Sequence, residues 1–274
     1  HRDLHSFPTR RSSDLFVSIL LASVSCNSEY RLYQRVGGDH LHLKSGNKEL
    51  FWFNGIHGND PKNKMFNEIN EELRKFSPDA VLVEGHANRY THKDELSAIR
   101  SGESEYVSFL ARESNIACFD IEPSDSLVNR YLIEKYGKKD VLTMYLIRQM
   151  VQWNRSKKNK TDFEQQVIEY LTWEDSHIGY FGRKITMESV TELLKPHTDF
   201  ESINNDNWYY FDAKKYIYFS SNRISIIYND ISNFRNEYLL SIIRQKKSEY
   251  DKVFIMMGFD HAKEVEKEII EIYQ

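Results

Sequence analysis

Two histidines and one glutamate each follow a separate apolar run of the chain. His57 closes the tetrapeptide Asn-Gly-Ile-His, His261 closes Gly-Phe-Asp-His, and Glu84 follows the apolar residues 80–83. Two imidazoles and one carboxylate around an open position are a common ligand set for a divalent metal that activates water for hydrolysis. Either histidine alone is more often a helix cap or a turn residue. The paired glycine turns, and the glutamate after an apolar run, favour a functional site.

The apolar runs predict the strands that carry these residues. Residues 40–43 and 49–53 flank a Ser-Gly-Asn-Lys turn and predict a β-hairpin, whose second strand leads to the first histidine. Residues 80–83 are apolar without alternation, which is typical of a strand buried on both faces of a sheet. Residues 253–257 predict another strand before the second histidine. In an open α/β sheet, ligands bind at the carboxyl ends of the strands, so the site is expected at that edge.

Helical patterns alternate with these strands. Asp60 is a favourable N-cap and Pro61 suits the first position of a helix. This helix is predicted to continue through an apolar stripe of Met65, Phe66, Ile69, Leu73 and Phe76. Residues 105–114 predict a second helix, and residues 116–121 predict a strand that delivers Asp120 and Glu122 to its end.

Two helices complete the predicted core. The first has an apolar face of Ile227, Ile231, Phe234, Tyr238 and Ile242, and it places Arg235 and Asn236 beside that face. The last helix has an inward stripe of Ala262, Val265, Ile269 and Ile272.

The middle of the chain is helical in pattern. One helix is predicted through Leu142, Leu146, Met150 and Trp153, another through Phe163, Val167 and Tyr170, and residues 198–212 are interpreted as an irregular loop over a pocket. We therefore predict an α/β fold with a mainly parallel central sheet flanked by helices. Residues 33–274 form a single hydrolase-like domain in this prediction, with a helical insertion or cap at about residues 124–222.

Composition limits the classes of function. The chain has 274 residues, enough for one large domain with an ample core. Its 37 Lys and Arg are interspersed with 41 Asp and Glu, which gives a net charge of −4. Because a nucleic-acid surface needs clustered basic residues, no nucleic-acid partner is expected. No obligate protein partner is inferred either.

The first residues predict processing rather than fold. Residues 1–15 resemble a translated sequencing adapter and are excluded from the fold. Residues 16–25 are a short apolar segment, well below the roughly 20 residues of a membrane-spanning helix, and they fit a truncated export signal. Cys26 follows directly and resembles a bacterial lipoprotein cleavage site, the alternative being an ordinary signal peptide with an incidental cysteine. Lipidation of Cys26 would leave Cys118 without a disulfide partner, and it predicts an exported, membrane-anchored protein of the cell envelope or periplasm.

The order of these motifs resembles the TraB/GumN (TIKI-like) family, which is more distantly similar to erythromycin esterases and ChaN-type proteins. That family has Gly-x-x-His after its first strand, Glu after the next, Arg-Asn on a late helix and a second Gly-x-x-His after its last strand. Gly258 to His261, Glu84 and the pair Arg235-Asn236 fit the last three of these. The first motif departs, because Asn54 stands where the family has Gly, although His57 is kept.

The resemblance implies a hydrolase of amide (peptide) or ester bonds. Its catalytic residues would be His57, Glu84, His261 and Arg235, with the first three holding a divalent metal such as Zn, Mn or Co. Arg235 would orient the substrate or stabilise an oxyanion. The predicted substrate-binding residues are Asn236, Asp60 and Arg89, and further candidates near the same strand ends are His86, Asp120 and Glu122.

Three alternatives remain open from the sequence. A metal-independent esterase would use His57 as a general base supported by Glu84. A non-catalytic lipoprotein would use the same crevice to hold a haem-like or peptide ligand. A scaffold without activity is the third alternative, and Asn54 is the residue that favours it.

Overall fold

A computed structural model describes residues 32–36, 40–85, 91–156, 162–199 and 201–274. The predictions for Cys26, His86 and Arg89 fall outside these ranges. The strands are β1 (Leu32–Val36), β2 (His40–Ser45), β3 (Lys48–Gly55), β4 (Ala80–Val83), β5 (Ala117–Asp120) and β6 (Lys252–Gly258). The helices are α1 (Met65–Phe76), α2 (Glu95–Arg100), α3 (Glu103–Glu113), α4 (Asp125–Tyr136), α5 (Lys138–Ser156), α6 (Phe163–Ile178), α7 (Met187–Leu194), α8 (Ala213–Tyr218), α9 (Arg223–Glu249) and α10 (Phe259–Tyr273).

The six strands form one sheet in the order β1-β2-β3-β6-β4-β5. Strands β3, β6, β4 and β5 pair in parallel, whereas β1, β2 and β3 pair antiparallel. The predicted α/β class with a mainly parallel sheet is therefore confirmed, and so is the hairpin of β2 and β3. The strand β1 was not predicted. The last strand along the chain, β6, lies between β3 and β4 at the centre of the sheet.

Alternation along the central strands divides the core into two layers. Leu50, Trp52 and Ile255 face helices α9 and α10, and they are buried there with the apolar stripe of α10. Phe51 and Phe254 face α1 and α3 on the opposite side, where their rings stack with centroids 5.5 Å apart. Because each fully buried side chain of this size contributes roughly 1.5–3 kcal/mol, these two layers fix the strand register and hence the positions of the strand ends.

A second core lies among the helices α4 to α9. It is built on the predicted stripe of α5 and on Phe163 and Val167 of α6. The segment at residues 198–212 contributes Ile203, Trp208 and Phe211 to this core. Trp208 stacks on Phe163 with ring centroids 4.8 Å apart, so these aromatic residues anchor the segment in the helical core.

The helix α9 joins the two cores with different faces. Ile227 and Ile231 of the predicted apolar face are buried in the helical core and not against the sheet. In the second half of the helix Leu239, Leu240 and Ile243 are buried against the sheet, and the predicted Tyr238 and Ile242 are only partly buried. A straight helix has 3.6 residues per turn, so a helix that contacts two bodies along 27 residues need not keep one face inward.

Two further details differ from the prediction. The helix α1 begins at Met65 with Lys64 at its N-cap, not at Asp60. Asp60 instead accepts the backbone N–H of Lys62 at 3.0 Å and forms a turn with Asn63, and this local turn uses the oxygen that would have capped a helix. Helix α3 begins two residues earlier than predicted, so that Glu103, a residue of the candidate site, is its first residue. Within the described ranges, we found no helix with the length and hydropathy needed to span a membrane.

Candidate functional site

Three parallel strands bring the predicted residues to one edge of the sheet. Gly55 at the end of β3 lies opposite Gly258 at the end of β6, and Val83 at the end of β4 lies opposite Met256. Glu84 then continues across the edge, because its backbone N–H donates to the Met256 carbonyl at 3.0 Å and its carboxylate accepts the Gly258 N–H at 3.1 Å. The carboxylate of Glu84 is therefore fixed directly above the central strand.

His57 is held by a carboxylate that the sequence did not indicate. Its Nδ1 lies 2.6 Å from Oε1 of Glu103, and the other oxygen of Glu103 accepts the Gly58 N–H at 3.3 Å. A carboxylate in this geometry accepts hydrogen bonds, so Nδ1 carries a proton, and in the neutral imidazole the other ring nitrogen, Nε2, has the lone pair. The imidazole is 78% exposed whereas Glu103 is 9% exposed. A buried carboxylate thus orients an imidazole that solvent can reach.

Electrostatics favours the protonated form of this imidazole. The hydrogen bond with Glu103 is the main cause that raises the pKa of His57 above its usual value of 6.5, and the charges of Glu103 and Glu84 add to the effect while partial burial opposes it. Glu103 is the first residue of α3, where the helix dipole stabilises a negative charge. An imidazolium formed during a reaction would therefore be stabilised at this position.

Gly55 leaves room for this arrangement. A Cβ atom at Gly55 would lie 2.3 Å from Cε of the buried Met256 and 3.6 Å from Cγ of Glu103. Any larger residue would force the end of the Met256 side chain to move, whereas its contact with Glu103 would be an ordinary van der Waals contact. The glycine of the Asn-Gly-Ile-His motif is therefore explained by packing beneath the histidine.

Arg235 lies between two carboxylates that follow neighbouring strands. It pairs with Glu84 at 3.7 Å and also with Glu122. All three side chains are no more than about a quarter exposed. Burial lowers the pKa of Arg235, although the negative charges of Glu84 and Glu264 act to raise it. Since its charge is balanced inside the protein, Arg235 acts first as the group that holds Glu84 in place.

The second histidine has a different set of contacts. His261 lies in the first turn of α10, where its Nδ1 is 3.4 Å from the side-chain oxygen of Asn236. Asn236 in turn donates to Glu264 at 2.8 Å. Asn236 therefore links α9 to α10 and positions His261. Asp60 is exposed on the turn before α1, on the His57 side of the site.

The residues present do not fit the predicted metal centre. No group of three or more His, Cys, Asp or Glu side chains in the described ranges has a geometry that could hold a metal ion. The oxygen atoms of Glu84 face the Gly258 N–H and Arg235. A cationic guanidinium beside Glu84 disfavours a second cation at the same place. We therefore derive no step through a metal.

Glu103 is the functional residue that sequence reasoning missed. The signal was present in the pair Gly102-Glu103, a turn glycine followed by an acidic residue in the first turn of a helix. The predicted helix began at residue 105, which placed Glu103 in a loop and removed it from consideration.

A cavity of about 470 Å³ is lined by Ile56, the residue before His57, and by His40 of β2. One wall is apolar and consists of Phe53, Ile56 and Met65, and the α1 wall carries Glu68, Glu71 and Glu72. Ile56 is 74% exposed although it is a large apolar residue. An exposed large apolar side chain at the edge of a cavity is typical of a ligand-contact surface.

No family model, curated protein or solved structure matches this chain. The resemblance of motif order therefore stays a prediction.

Proposed function

We propose that this protein is a hydrolase of ester or amide bonds that uses His57 as a general base without a metal. The observation that carries the proposal is the 2.6 Å contact between Nδ1 of the exposed His57 and the buried Glu103. A histidine whose one nitrogen is fixed by a carboxylate and whose other nitrogen faces solvent is a recurrent arrangement in acid–base catalysis.

In the proposed reaction, Nε2 of His57 removes a proton from a water molecule while the water oxygen attacks the substrate carbonyl carbon. The imidazolium that forms is stabilised by Glu103 through Nδ1–H, and by the negative charge of Glu84. The tetrahedral adduct then collapses, the bond to the leaving oxygen or nitrogen breaks, and His57 returns the proton to that atom. General base catalysis of this kind contributes about 10²- to 10⁴-fold to a rate.

Three other residues have supporting roles in the proposal. Arg235 positions Glu84 through their ion pair, and it would contribute to orienting the substrate only through the part of its guanidinium that faces the crevice. Asn236 positions His261 at the same edge, where His261 would contact the substrate. The cavity with Ile56 at its rim would receive the acyl part of a peptide or ester substrate.

The predicted metal-dependent mechanism is tested by the same experiment as the metal-free one. Hydrolysis of a panel of aryl esters and short peptides is measured with and without EDTA, for the wild type and His57→Gln. We expect activity that survives EDTA and a loss of at least about 100-fold in kcat/KM for His57→Gln. Loss of activity with EDTA and its return with added Zn²⁺ or Mn²⁺ would transfer the assignment to the metal-dependent mechanism.

The chain provides a matched control. His42 pairs with Glu49 at 3.3 Å, and Glu49 is the second residue of β3, about 20 Å from the strand end that leads to His57. His42→Gln removes a histidine from a comparable His–Glu pair and should retain full activity. Equal activities of His57→Gln and His42→Gln would refute the proposal. The predicted export and Cys26 lipidation are separate proposals, which mass spectrometry of the protein from a bacterial membrane fraction would test.

A further inference from the structure

The helical core contains a polar cavity of about 300 Å³, whose lining does not include His57, Glu84 or His261. Helix α6 lines it with Tyr170, Trp173, Glu174 and His177, and helix α5 lines it with Tyr145, Arg148, Gln149 and Gln152. Each set has the spacing i, i+3, i+4, i+7, which is one face of a helix. Where two helices pack, such faces are normally apolar, so two polar faces turned toward one cavity require an explanation.

The polar residues form a floor and a rim. Glu174 is only 6% exposed, Asn129 of α4 is 8% exposed, and the phenols of Tyr145 and Tyr170 are half-buried beside them. The rim is exposed and includes Trp173, whose side chain is accessible over 57% of its surface. A cavity of this size is at the lower limit for small-molecule pockets.

The two phenol donors of the floor are used within the protein. The Tyr145 hydroxyl donates to the side-chain oxygen of Asn129 at 2.8 Å, and the Tyr170 hydroxyl donates to the backbone carbonyl of Tyr145 at 3.3 Å. The Glu174 carboxylate lies beside Tyr170, which has a single hydroxyl proton for these two neighbours. The Glu174 carboxylate therefore keeps acceptor capacity that the two phenols do not fill.

Glu174 also lacks a cation at ion-pair distance among the residues that the structure describes. Arg148 and His177 are close enough to affect its pKa, which burial nevertheless raises. Both are exposed rim residues, and the imidazole of His177 contacts the Trp173 carbonyl at 2.8 Å through Nδ1. A buried carboxylate is costly unless it is paired and hydrogen-bonded. A cationic ligand would supply the missing partner.

We propose that this cavity binds a small organic ligand through a primary ammonium group, with Glu174 as the anionic partner and the Trp173 ring over the ligand's apolar part. An ammonium group offers three donors to the acceptor-rich floor, and an aromatic face at the rim attracts a cation or covers its alkyl chain. Asp125 at the start of α4 adds a second carboxylate to the rim. Arg148 can hold a carboxylate of the ligand, so an amine and an amino acid share the chemistry that the cavity recognises. The site does not depend on the proposed hydrolase activity.

The test uses ligand-observed NMR and calorimetric titration of the full chain with four probes. These are n-butylammonium, the zwitterion norleucine, the neutral 1-pentanol and glucose. We expect n-butylammonium or norleucine to bind at least about tenfold more tightly than pentanol or glucose, because a charge-assisted contact with Glu174 is available only to the ammonium. Tighter binding of norleucine, reversed in Arg148→Gln, would identify an amino acid as the ligand class.

Variants locate the binding within the cavity. Glu174→Gln keeps the shape of the side chain and should weaken ammonium binding at least about tenfold, whereas Glu169→Gln changes an exposed carboxylate of the same helix and should have no effect. Trp173→Ala should weaken binding several-fold, and circular dichroism checks that each variant is folded. The proposal would be overturned by equal affinity for pentanol and n-butylammonium, or by binding of glucose alone. It would also be overturned if neither ammonium probe binds, or if the affinity is unchanged in Glu174→Gln.

Discussion

Replacing Glu103 with Gln isolates what one buried carboxylate contributes to His57. The substitution keeps the size of the side chain and removes the charge that faces Nδ1 at 2.6 Å. A hydrogen bond with a charged partner contributes roughly 1.5–3 kcal/mol, and 1.4 kcal/mol corresponds to tenfold in rate. Because the imidazole is mostly exposed to water, we expect the lower end of this range. The value of kcat/KM for ester hydrolysis should therefore fall about tenfold at alkaline pH.

The pH profile gives a sharper result than the rate alone. The base form of His57 is required, so kcat/KM should rise with pH through the pKa of His57, which Glu103 and Glu84 raise above 6.5. Glu103→Gln removes the largest cause of that shift, so the acidic limb of the profile should move to lower pH. The difference between wild type and variant should consequently become smaller as the pH falls.

A second carboxylate of the same helix provides the control. Glu105 pairs with His92 at 3.0 Å, so Glu105→Gln removes a charge from a similar pair two residues along α3. This variant should keep the wild-type profile. NMR titration of the His57 ring would measure the same pKa without substrate. An acidic limb and a His57 pKa that are both unchanged in folded Glu103→Gln would refute the assignment of Glu103 as the orienting group.

Other substitutions test packing and charge. Arg235→Met should lower the free energy of unfolding in urea by about 2 kcal/mol at neutral pH. The reason is that it leaves Glu84 beside a second carboxylate without a cation. A loss of stability that persists at a pH where both carboxylates are protonated would contradict this reason. Trp208→Ala should lower the free energy of unfolding by about 3–5 kcal/mol in thermal or urea denaturation, because the ring is only 3% exposed. Tyr210 is 70% exposed, so Tyr210→Ala should change the free energy of unfolding by less than about 0.5 kcal/mol. The pKa of His57 is raised in the folded protein. The charge of His57 should therefore stabilise the fold fully below pH 6.5, and this effect should be lost as the pH rises through the folded pKa. Urea midpoints should show this pH dependence for the wild type and not for His57→Gln.

The strands at the site were predictable because their patterns are local. Residues 80–83 are apolar without interruption, as a strand between two neighbours must be, and the structure places them inside the sheet. Gly55 and Gly258 are the last residues of β3 and β6 and mark where each strand ends. From these signals the edge that carries His57, Glu84 and His261 could be located before any coordinates were known.

The partners of these residues were not predictable from the same signals. Glu103 reaches His57 from a helix that starts after an intervening segment, and only tertiary packing brings the two together. The pairing of Arg235 with Glu84 depends in the same way on how α9 crosses the sheet. A ligand set inferred from strand ends alone therefore overlooked the internal partners that engage Glu84 and His57.

Asp60 illustrates a local signal with two outcomes. An Asp-Pro pair before an apolar stripe favours a helix start, but the same aspartate can also close a turn on the second residue after it. The structure has the turn, and the helix starts at Met65. The sequence alone does not decide between the helix start and the turn.

The central position of β6 determines when the site can exist during synthesis. Strands β3 and β4 leave the ribosome early, but neither pairs with the other, since β6 lies between them. Until β6 is translated, both strands present an open edge, and the nascent chain is exposed to intermolecular pairing. The Gly258 N–H that fixes Glu84 also belongs to this late strand. The nascent protein is consequently without its assembled site until the sheet closes, and any truncation before Lys252 should yield an inactive chain that aggregates.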